Sequence, residues 1–282
     1  MALPGRDNNR MIPMIIEKKW PFKMGTTSFI DPGPIVDNVR KLGPVFDEIE
    51  LLVFESLPFM TKNGPVPVLP QPHEIKELAK LSRELGVTYN VHLPVDVSLT
   101  SPSKKERILG VDIIKQVVEL FAPLTPSTHT LHLEWNPDNA GDGKDGLNQW
   151  QNWAVESLEI LSPFLNNLSD ISIETLEYPP EYLFKILDTL NVDLCIDAGH
   201  LIKYNYDIKA LFDRYGHRVP LIHLHGVDFS HENPKDHQGL DKTPMDRLLP
   251  TLEVLKQFHG VVSLEVFSRN NLQASVNYLN NL

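Results

Sequence analysis

The sequence predicts a closed (β/α)8 barrel, a single-domain α/β fold of the TIM-barrel type. Short runs with the composition of β-strands alternate with longer segments whose apolar residues recur at helical spacing. Strict alternation of strand and helix requires crossover connections, so the strands are expected to be parallel, and eight such units in about 250 residues is the usual size of this barrel. The eight predicted strands are Phe22–Phe29, Glu48–Glu55, Thr88–Pro94, Thr128–Glu134, Asp170–Glu177, Asp193–Asp197, Pro220–Asp228 and Gly260–Phe267.

The segments between these strands have the apolar pattern of amphipathic helices. Residues 73–86 read HEIKELAKLSRELG, in which Ile75, Leu78 and Leu85 belong to one apolar stripe and Gly86 supplies a stop signal. Lys104–Phe121 and Trp150–Leu165 show the same pattern. We interpret residues 1–20 as an N-terminal extension and residues 21–282 as the barrel domain.

Composition and charge restrict the class of partner. The 282 residues include 26 Lys and Arg against 37 Asp and Glu, which gives a formal net charge of −11. Because contacts to a nucleic-acid backbone need clustered basic residues, genomic nucleic acid is not expected as a partner. The single cysteine, Cys195, excludes an intrachain disulfide. No apolar run approaches the length of a membrane span, and Met11–Ile16 is too short for a secretory signal, so no membrane association and a cytoplasmic location are expected.

Imidazole and carboxylate side chains recur at the C-terminal ends of the third to eighth predicted strands. They are His92, His132, Glu134, Glu174, Glu177, Asp197, His200, His223, His225 and Glu265. In a (β/α)8 barrel these strand ends meet on one face, so the side chains are expected to share a pocket. Taken singly, each is more often a hydrogen-bonded core or rim residue than a ligand. Their occurrence on six consecutive strands favours a site for Zn²⁺, Mn²⁺ or Fe²⁺, because cations would also relieve the repulsion between the carboxylates.

Two further segments are candidates for substrate contact. Leu57–Pro72 contains five prolines, which forbid continuous helix, and it is expected to be either a substrate-contacting lid or an irregular connector. Tyr204 and Tyr206 follow the sixth strand and could either stack on a substrate ring or pack at a helix start. Together with His225, the two tyrosines are the candidate substrate-binding residues.

The pattern of site residues resembles that of the xylose isomerase-like TIM-barrel superfamily, which includes sugar isomerases and epimerases as well as phosphodiesterases of the endonuclease IV type. The residues that carry the resemblance are His92, His132, Glu174, Asp197, His200, His223, Asp236, His237 and Glu265. The resemblance implies that Glu174, Asp197, His223 and Glu265 hold a shared metal, with Glu174 and Glu265 as the catalytic carboxylates. It also implies that His92 and His132 hold a second metal, which is the pattern of the hydrolase branch, with Glu174 bridging the two.

The same resemblance implies a third metal on His200, Asp236 and His237, so two or three divalent ions per chain are expected. Asp236 and His237 are adjacent here, whereas the endonuclease pattern separates the two by one residue, so His225 or His231 could substitute.

Two absences separate the branches of the superfamily. The epimerases carry a second Glu beyond the fifth-strand ligand and an Arg after the seventh-strand His, where this chain has Pro180–Glu181 and VDFSHENPK. A metal-dependent phosphodiester hydrolase is therefore favoured, a sugar isomerase or epimerase is the alternative, and a non-catalytic binding barrel is the third possibility. The stretches MGTTSF, IETLEYPPEYL, CIDAGH and HLHGVDFSHENPKDHQGLD further resemble the cobamide-remodelling phosphodiesterases (CbiR type), which implies a small-molecule substrate cleaved at its nucleotide loop.

Overall fold

A computed structural model describes the chain over residues 14–62, 64–66, 68–140 and 143–282. Its centre is a closed barrel of eight parallel strands, in which each strand pairs with its neighbour along the chain and the last pairs with the first. The predicted (β/α)8 fold is therefore confirmed. The barrel strands are β1 (Lys23–Thr27), β2 (Glu48–Leu52), β3 (Thr88–His92), β4 (His129–Leu131), β5 (Ile171–Glu174), β6 (Asp193–Asp197), β7 (Leu221–Leu224) and β8 (Val261–Leu264).

Helices connect the strands and pack against one another around the barrel. They are α1 (Ile35–Leu42), α2 (Pro72–Leu85), α3 (Lys104–Phe121), α4 (Pro137–Ala140), α5 (Gly143–Leu161), α6 (Phe184–Thr189), α7 (Ala198–Tyr204), α8 (Ile208–Tyr215), α9 (Met245–Leu255) and α10 (Arg269–Asn280). Short 3₁₀ turns lie at Ala122–Leu124, Ser162–Phe164, Leu168–Asp170, Pro180–Leu183, Gly216–Arg218 and Leu240–Lys242.

The ends of α2 show how local sequence sets a boundary. Pro72 occupies the first turn, and Gln71 and Glu74 form reciprocal capping hydrogen bonds, including one of 2.8 Å from the Gln71 N–H to Glu74 Oε2. The helix ends at Gly86, whose φ of +71° is easily adopted only without a side chain. The predicted helix over residues 73–86 is thus confirmed to within one residue. By contrast, α5 begins seven residues before the predicted start at Trp150.

Two antiparallel hairpins differ from the expected pattern. Phe59–Thr61 pairs with Gly64–Val66, so part of the proline-rich Leu57–Pro72 segment is regular structure. The predicted strand Pro220–Asp228 is instead two strands, because β7 ends at Leu224 and Gly226–Asp228 pairs with Lys235–Gln238. A Cβ at Gly226 would overlap the carbonyl of Gly239, so the change of direction requires glycine there.

Buried polar groups occur alongside the apolar core of the barrel. Glu48 on β2 is 1% exposed. It accepts hydrogen bonds from Thr88 Oγ1 at 2.6 Å, Asn90 Nδ2 at 2.9 Å and Ser127 Oγ at 2.6 Å. These three donors satisfy a carboxylate that would otherwise be costly to bury.

The segment that precedes β1 is described only in part. Residues 1–13 of the proposed extension 1–20 lie outside the described residues. The described remainder is held to the end of α10, where the Glu17 N–H donates to Asn280 Oδ1 at 3.1 Å. Across the described part of the chain, no helix has the length and apolar character needed to cross a membrane.

Candidate metal centre

Glu174, the last residue of β5, is the centre of a buried group of potential ligands. Its Oε2 lies 2.9 Å from His132 Nε2 and 3.3 Å from His92 Nε2, and its Oε1 lies 3.3 Å from His223 Nδ1. His92 is the last residue of β3 and His132 directly follows β4, so the strand ends alone place these rings beside Glu174. The two oxygens of one carboxylate therefore face two different sets of histidines.

Asp197, His223 and Glu265 complete this group on the other side of Glu174. Asp197 ends β6 and pairs in register with His223 on β7, while Glu265 directly follows β8. Ligand atoms of Glu174, Asp197, His223 and Glu265 all lie within 4.8 Å of one another, and those of His92, His132 and Glu174 do so as well. We name these six residues, His92, His132, Glu174, Asp197, His223 and Glu265, the buried cluster.

The electrostatics of the buried cluster fit a cation. His223 Nδ1 and Glu265 Oε2 lie 3.3 Å apart, and both are buried without a hydrogen-bond partner in the described residues. Burial disfavours ionised Glu174, but His223 and His132 nevertheless hold the pKa of its carboxyl well below the usual range. Ionised carboxylates and imidazoles form a donor set suited to Zn²⁺, Mn²⁺ or Fe²⁺. Three buried atoms of the cluster, Nδ1 and Nε2 of His223 and Oε2 of Glu265, lack a hydrogen-bond partner in the described residues.

The ring nitrogens of His92 have distinct partners. Nδ1 lies 3.0 Å from the carbonyl oxygen of Leu93, so Nδ1–H can donate there, and Nε2 faces Glu174. Burial opposes protonation of this ring, but the carboxylates of Glu174, Glu50 and Glu265 raise the pKa of His92. A metal that binds Nε2 of His92 must displace any proton held there.

Glu50 on β2 supports the buried cluster and was not among the residues expected from the sequence. Its side chain is fully buried, with Oε1 2.8 Å from His223 Nε2 and Oε2 accepting a 2.6 Å hydrogen bond from Ser263 Oγ. Neither Glu50 Oε1 nor His223 Nε2 forms an aligned hydrogen bond in the described residues, so Glu50 faces Nε2 as an ionic partner while Nδ1 faces Glu174 and Glu265. The sequence feature that could have indicated Glu50 is the pair Glu48 and Glu50. These two carboxylates lie on the same side of an otherwise apolar strand.

Three histidines form a second group, which we name the histidine cluster: His200, His225 and His237. His200 lies in the first turn of α7, His225 directly follows β7, and His237 lies on the hairpin strand Lys235–Gln238. His225 Nε2 lies 3.1 Å from Asp197 Oδ1, which connects the histidine cluster to the buried cluster. His237 has a φ of +50°, an uncommon conformation for a residue with a side chain and one that concentrates at functional sites.

Gly199 makes room for the histidine cluster. A Cβ at this position would overlap the imidazole ring of His225. The glycine in the sequence CIDAGH therefore allows the ring of His225 to lie against the start of α7. This steric requirement is visible only in the folded chain, where the two residues meet.

Asp236 does not join the histidine cluster. Its Oδ2 lies 2.5 Å from Lys203 Nζ. The potential ligand atoms that lie close to one another belong to His200, His225 and His237, so His225 takes the place expected for Asp236. His231, the other expected substitute, lies 3.6 Å from Asp228.

The tyrosines lie near the rim. The rings of Tyr204 and Tyr206 stack with centroids 6.2 Å apart. Tyr204 is 41% exposed, and the Tyr206 hydroxyl donates to the carbonyl of Glu177 at 3.1 Å. Their proposed role in substrate binding stays a prediction.

Aromatic residues from three other loops flank the clusters. The rings of Phe29, Phe54 and Phe267 contact one another, with centroids 5.8–6.4 Å apart. Phe54 lies 5.9 Å from the ring of His92, and Phe267 lies 4.8 Å from the ring of His237. These phenylalanines, which we name the aromatic wall, therefore reach from one cluster to the other.

Cys195 lies in the barrel near Glu174 and His223. Burial raises the pKa of its thiol to about 12. The thiol is therefore protonated at neutral pH, and the side chain packs with Leu221 and Val261 as a small apolar residue, as expected.

Comparisons with known proteins agree with the fold. The family described as xylose isomerase-like TIM barrel matches residues 36–282. A curated relative, "Probable endonuclease 4" from Aster yellows witches'-broom phytoplasma (strain AYWB), is 25% identical over 191 aligned residues that cover 61% of each chain. The match thus spans less than two thirds of that relative's length.

Solved structures show the same architecture. A D-tagatose 3-epimerase-like protein superposes with a TM-score of 0.70 at 18% identity, covering 92% of this chain and 96% of its own. Endonuclease IV from Thermus thermophilus superposes with a TM-score of 0.60 at 15% identity, covering 92% of this chain and 100% of its own. At these identities the likeness establishes the fold alone.

Proposed function

Because the chain belongs to the xylose isomerase-like TIM-barrel family, whose members include endonucleases and sugar epimerases, we propose that it is a metal-dependent enzyme that hydrolyses a phosphodiester. The proposal rests on the position of the Glu174 carboxylate between two groups of ligands. Its Oε2 faces His92 and His132, and its Oε1 faces His223. A carboxylate placed this way can bridge two cations, which is the arrangement used for in-line displacement at phosphorus.

Each residue of the buried cluster has a proposed part in this chemistry. His92 and His132 would hold one ion, Asp197, His223 and Glu265 the other, and Glu174 both. Divalent ions at these positions would supply Lewis-acid activation of water and of the phosphate oxygens. Glu174 and Glu265 are the proposed catalytic carboxylates, since both border the space between the ligand sets.

Hydrolysis is favoured over sugar epimerisation because the loops after β5 and β7 do not offer the side chains expected of an epimerase. Glu181, the carboxylate nearest the position expected for a second epimerase glutamate, is exposed in the 3₁₀ turn Pro180–Leu183. The segment from His225 to Asp236 contains no arginine. His92 and His132, in contrast, are both placed against Glu174.

We further propose a small-molecule phosphodiester as the substrate, namely the nucleotide loop of a cobamide. The aromatic wall offers apolar surface beside the clusters, which suits a large ring system better than a small sugar. The exclusion of genomic nucleic acid rests on net charge alone and gains no support from the similarity to a protein named probable endonuclease 4. DNA therefore belongs in the test.

The test is to incubate metal-replete protein separately with adenosylcobalamin, a duplex DNA containing an abasic site, and a panel of ketoses, and to separate the products by chromatography. We expect cobalamin to lose its nucleotide loop, and a chelator to abolish the reaction. Glu174→Ala and His92→Ala should be inactive and deficient in metal. His259→Ala, which changes an exposed histidine outside the clusters, is the matched control and should keep full activity.

The outcomes separate the alternatives. Cleavage of the DNA alone would preserve hydrolysis and overturn the substrate class. Epimerised sugar with intact cobalamin would favour the isomerase, and a protein without metal that alters none of the substrates would be a binding barrel. Full metal content in Glu174→Ala would contradict the bridging role of this carboxylate.

A further inference from the structure

The histidine cluster offers fewer free ligand atoms than its three rings suggest. Nδ1 of His200 lies 3.2 Å from Asp197 Oδ2 and 3.3 Å from the carbonyl of Thr175, and Nδ1 of His237 lies 3.1 Å from the carbonyl of Glu265. Each Nδ1–H can donate to its carbonyl, which leaves Nε2 of both rings with a lone pair.

His225 differs from the other two rings. Its Nδ1 accepts a 2.9 Å hydrogen bond from the backbone N–H of His237, and its Nε2 faces Asp197. Both nitrogens of His225 are therefore engaged within the protein. The histidine cluster thus presents two imidazole lone pairs, and the carboxylates beside its rings, Asp197 and Glu265, are members of the buried cluster.

A further carboxylate, Asp236, is the neighbour of His237 along the chain and is held by an ammonium group. Asp236 and His237 are consecutive residues of the hairpin strand Lys235–Gln238, but the φ of +50° at His237 departs from regular strand geometry, so the two side chains have separate partners. His237 faces His225, with ring centroids 4.2 Å apart. Asp236 instead meets Lys203, which follows His200 by three residues on α7.

Lys203 has two effects on a cation at the histidine cluster. Its ammonium holds Asp236 Oδ2 at 2.5 Å, and the pair is partly shielded, with side-chain exposures of 20% for Lys203 and 29% for Asp236. The same positive charge would also repel a divalent ion bound one helical turn away, at His200. Two imidazoles beside an ammonium make a poor site for a divalent ion.

We propose that Lys203 sets the number of metals: by holding Asp236 it keeps the histidine cluster free of metal, and its removal adds one divalent ion per chain. In the absence of the ammonium, Asp236 can rotate toward His200 and His237 and supply the missing carboxylate. Imidazole with carboxylate is a ligand set for Zn²⁺. Lys203 is thus a determinant of metal stoichiometry rather than a catalytic residue.

The experiment counts metal by elemental analysis after reconstitution of the full chain with Zn²⁺ and removal of excess ion. Lys203→Met should hold one more Zn²⁺ per chain than the wild type. Lys203→Arg, which keeps the positive charge, should match the wild type. Lys235→Met removes an exposed lysine from the same hairpin and is the matched control, also with the wild-type count.

A double variant identifies the added ligand. Lys203→Met combined with Asp236→Asn should return to the wild-type metal count. If Lys203→Met folds poorly, Lys203→Gln replaces it, provided that its circular dichroism spectrum is native. Equal counts in Lys203→Met and the wild type would overturn the proposal, as would an extra ion that survives Asp236→Asn. The measurement involves no substrate, so its failure is distinct from failure of the proposed hydrolase activity.

Discussion

The buried cluster and the histidine cluster share one barrel face but are built by different means. The buried cluster is carried by the ends of six neighbouring strands, and apart from His132 its members are at most 3% exposed. The histidine cluster is carried by a helix start, a strand exit and a hairpin, and the side chains of His200 and His237 are 14% and 24% exposed. Strand register therefore positions the residues of the buried cluster. The histidine cluster depends instead on single local features such as Gly199, the backbone of His237 and Lys203.

The largest effect expected from this difference is on the pH dependence of metal binding. Burial opposes protonation of His223, but the carboxylates of Glu50, Glu265 and Glu174 raise its pKa well above the usual value. In the metal-free protein this ring therefore keeps its proton through neutral pH, and the proton must leave when metal binds. Affinity should accordingly rise with pH beyond neutrality, by up to about tenfold per pH unit for each proton released.

Calorimetric titration of Zn²⁺ at pH 7 in two buffers of different ionisation enthalpy measures the number of protons released. We expect release of at least about one proton per chain. Burial lowers the pKa of His237, so this ring should contribute none of the released protons. A buffer-independent binding enthalpy would show that the rings of the buried cluster are already neutral.

The next effect concerns the support of His223 by Glu50. In Glu50→Ala the Nε2 atom of His223 loses its carboxylate partner, so the ring is no longer held with Nδ1 toward Glu174 and Glu265. Loss of such a supporting partner typically weakens metal affinity by about 10–100-fold. Competition with a chromophoric chelator measures the change.

Glu48→Gln is the matched control for this variant. Glu48 lies two residues earlier on β2, is also buried, and accepts hydrogen bonds from Thr88, Asn90 and Ser127. It should change stability without changing affinity for metal. Equal losses of affinity in both variants would mean that Glu50 acts through the barrel and not through His223.

The contrast between the clusters also explains what the sequence could reveal. The alternation of strands and helices predicts the barrel, and the barrel in turn brings His92, Glu174, Asp197 and Glu265 together, because each ends or directly follows a strand. The position of Asp236 could not be predicted in this way. It depends on the hairpin after β7, whose first strand, Gly226–Asp228, reads in the sequence as a continuation of β7.

The same limit applies to Glu50 and to the aromatic wall. A buried carboxylate in β2 has no spacing signal that links it to His223, since the two are 173 positions apart and meet only when the barrel closes. Phe29, Phe54 and Phe267 follow three different strands and likewise meet only in the fold. Residues placed by strand register were predictable, and residues that support them from other strands were not.

The smallest expected effect tests the steric basis of the histidine cluster. Gly199→Ala places a methyl group where the His225 ring lies, so the ring must move and its contact with Asp197 must weaken. Such overpacking costs about 1–3 kcal/mol. Thermal unfolding should detect it as a fall of several degrees in Tm, since about 1 kcal/mol shifts the Tm of a chain this size by roughly 2–4 °C.

A second background separates the clash from the effect of alanine on the helix. Gly199 lies within α7, where alanine is favoured over glycine by about 1 kcal/mol in the absence of steric conflict. In a His225→Ala background, where the ring is gone, Gly199→Ala should therefore be neutral or stabilising. The sign of its effect on Tm should reverse between the two backgrounds. The same loss of stability in both would locate the strain in the backbone of α7, and the histidine cluster would then not depend on the space that Gly199 leaves.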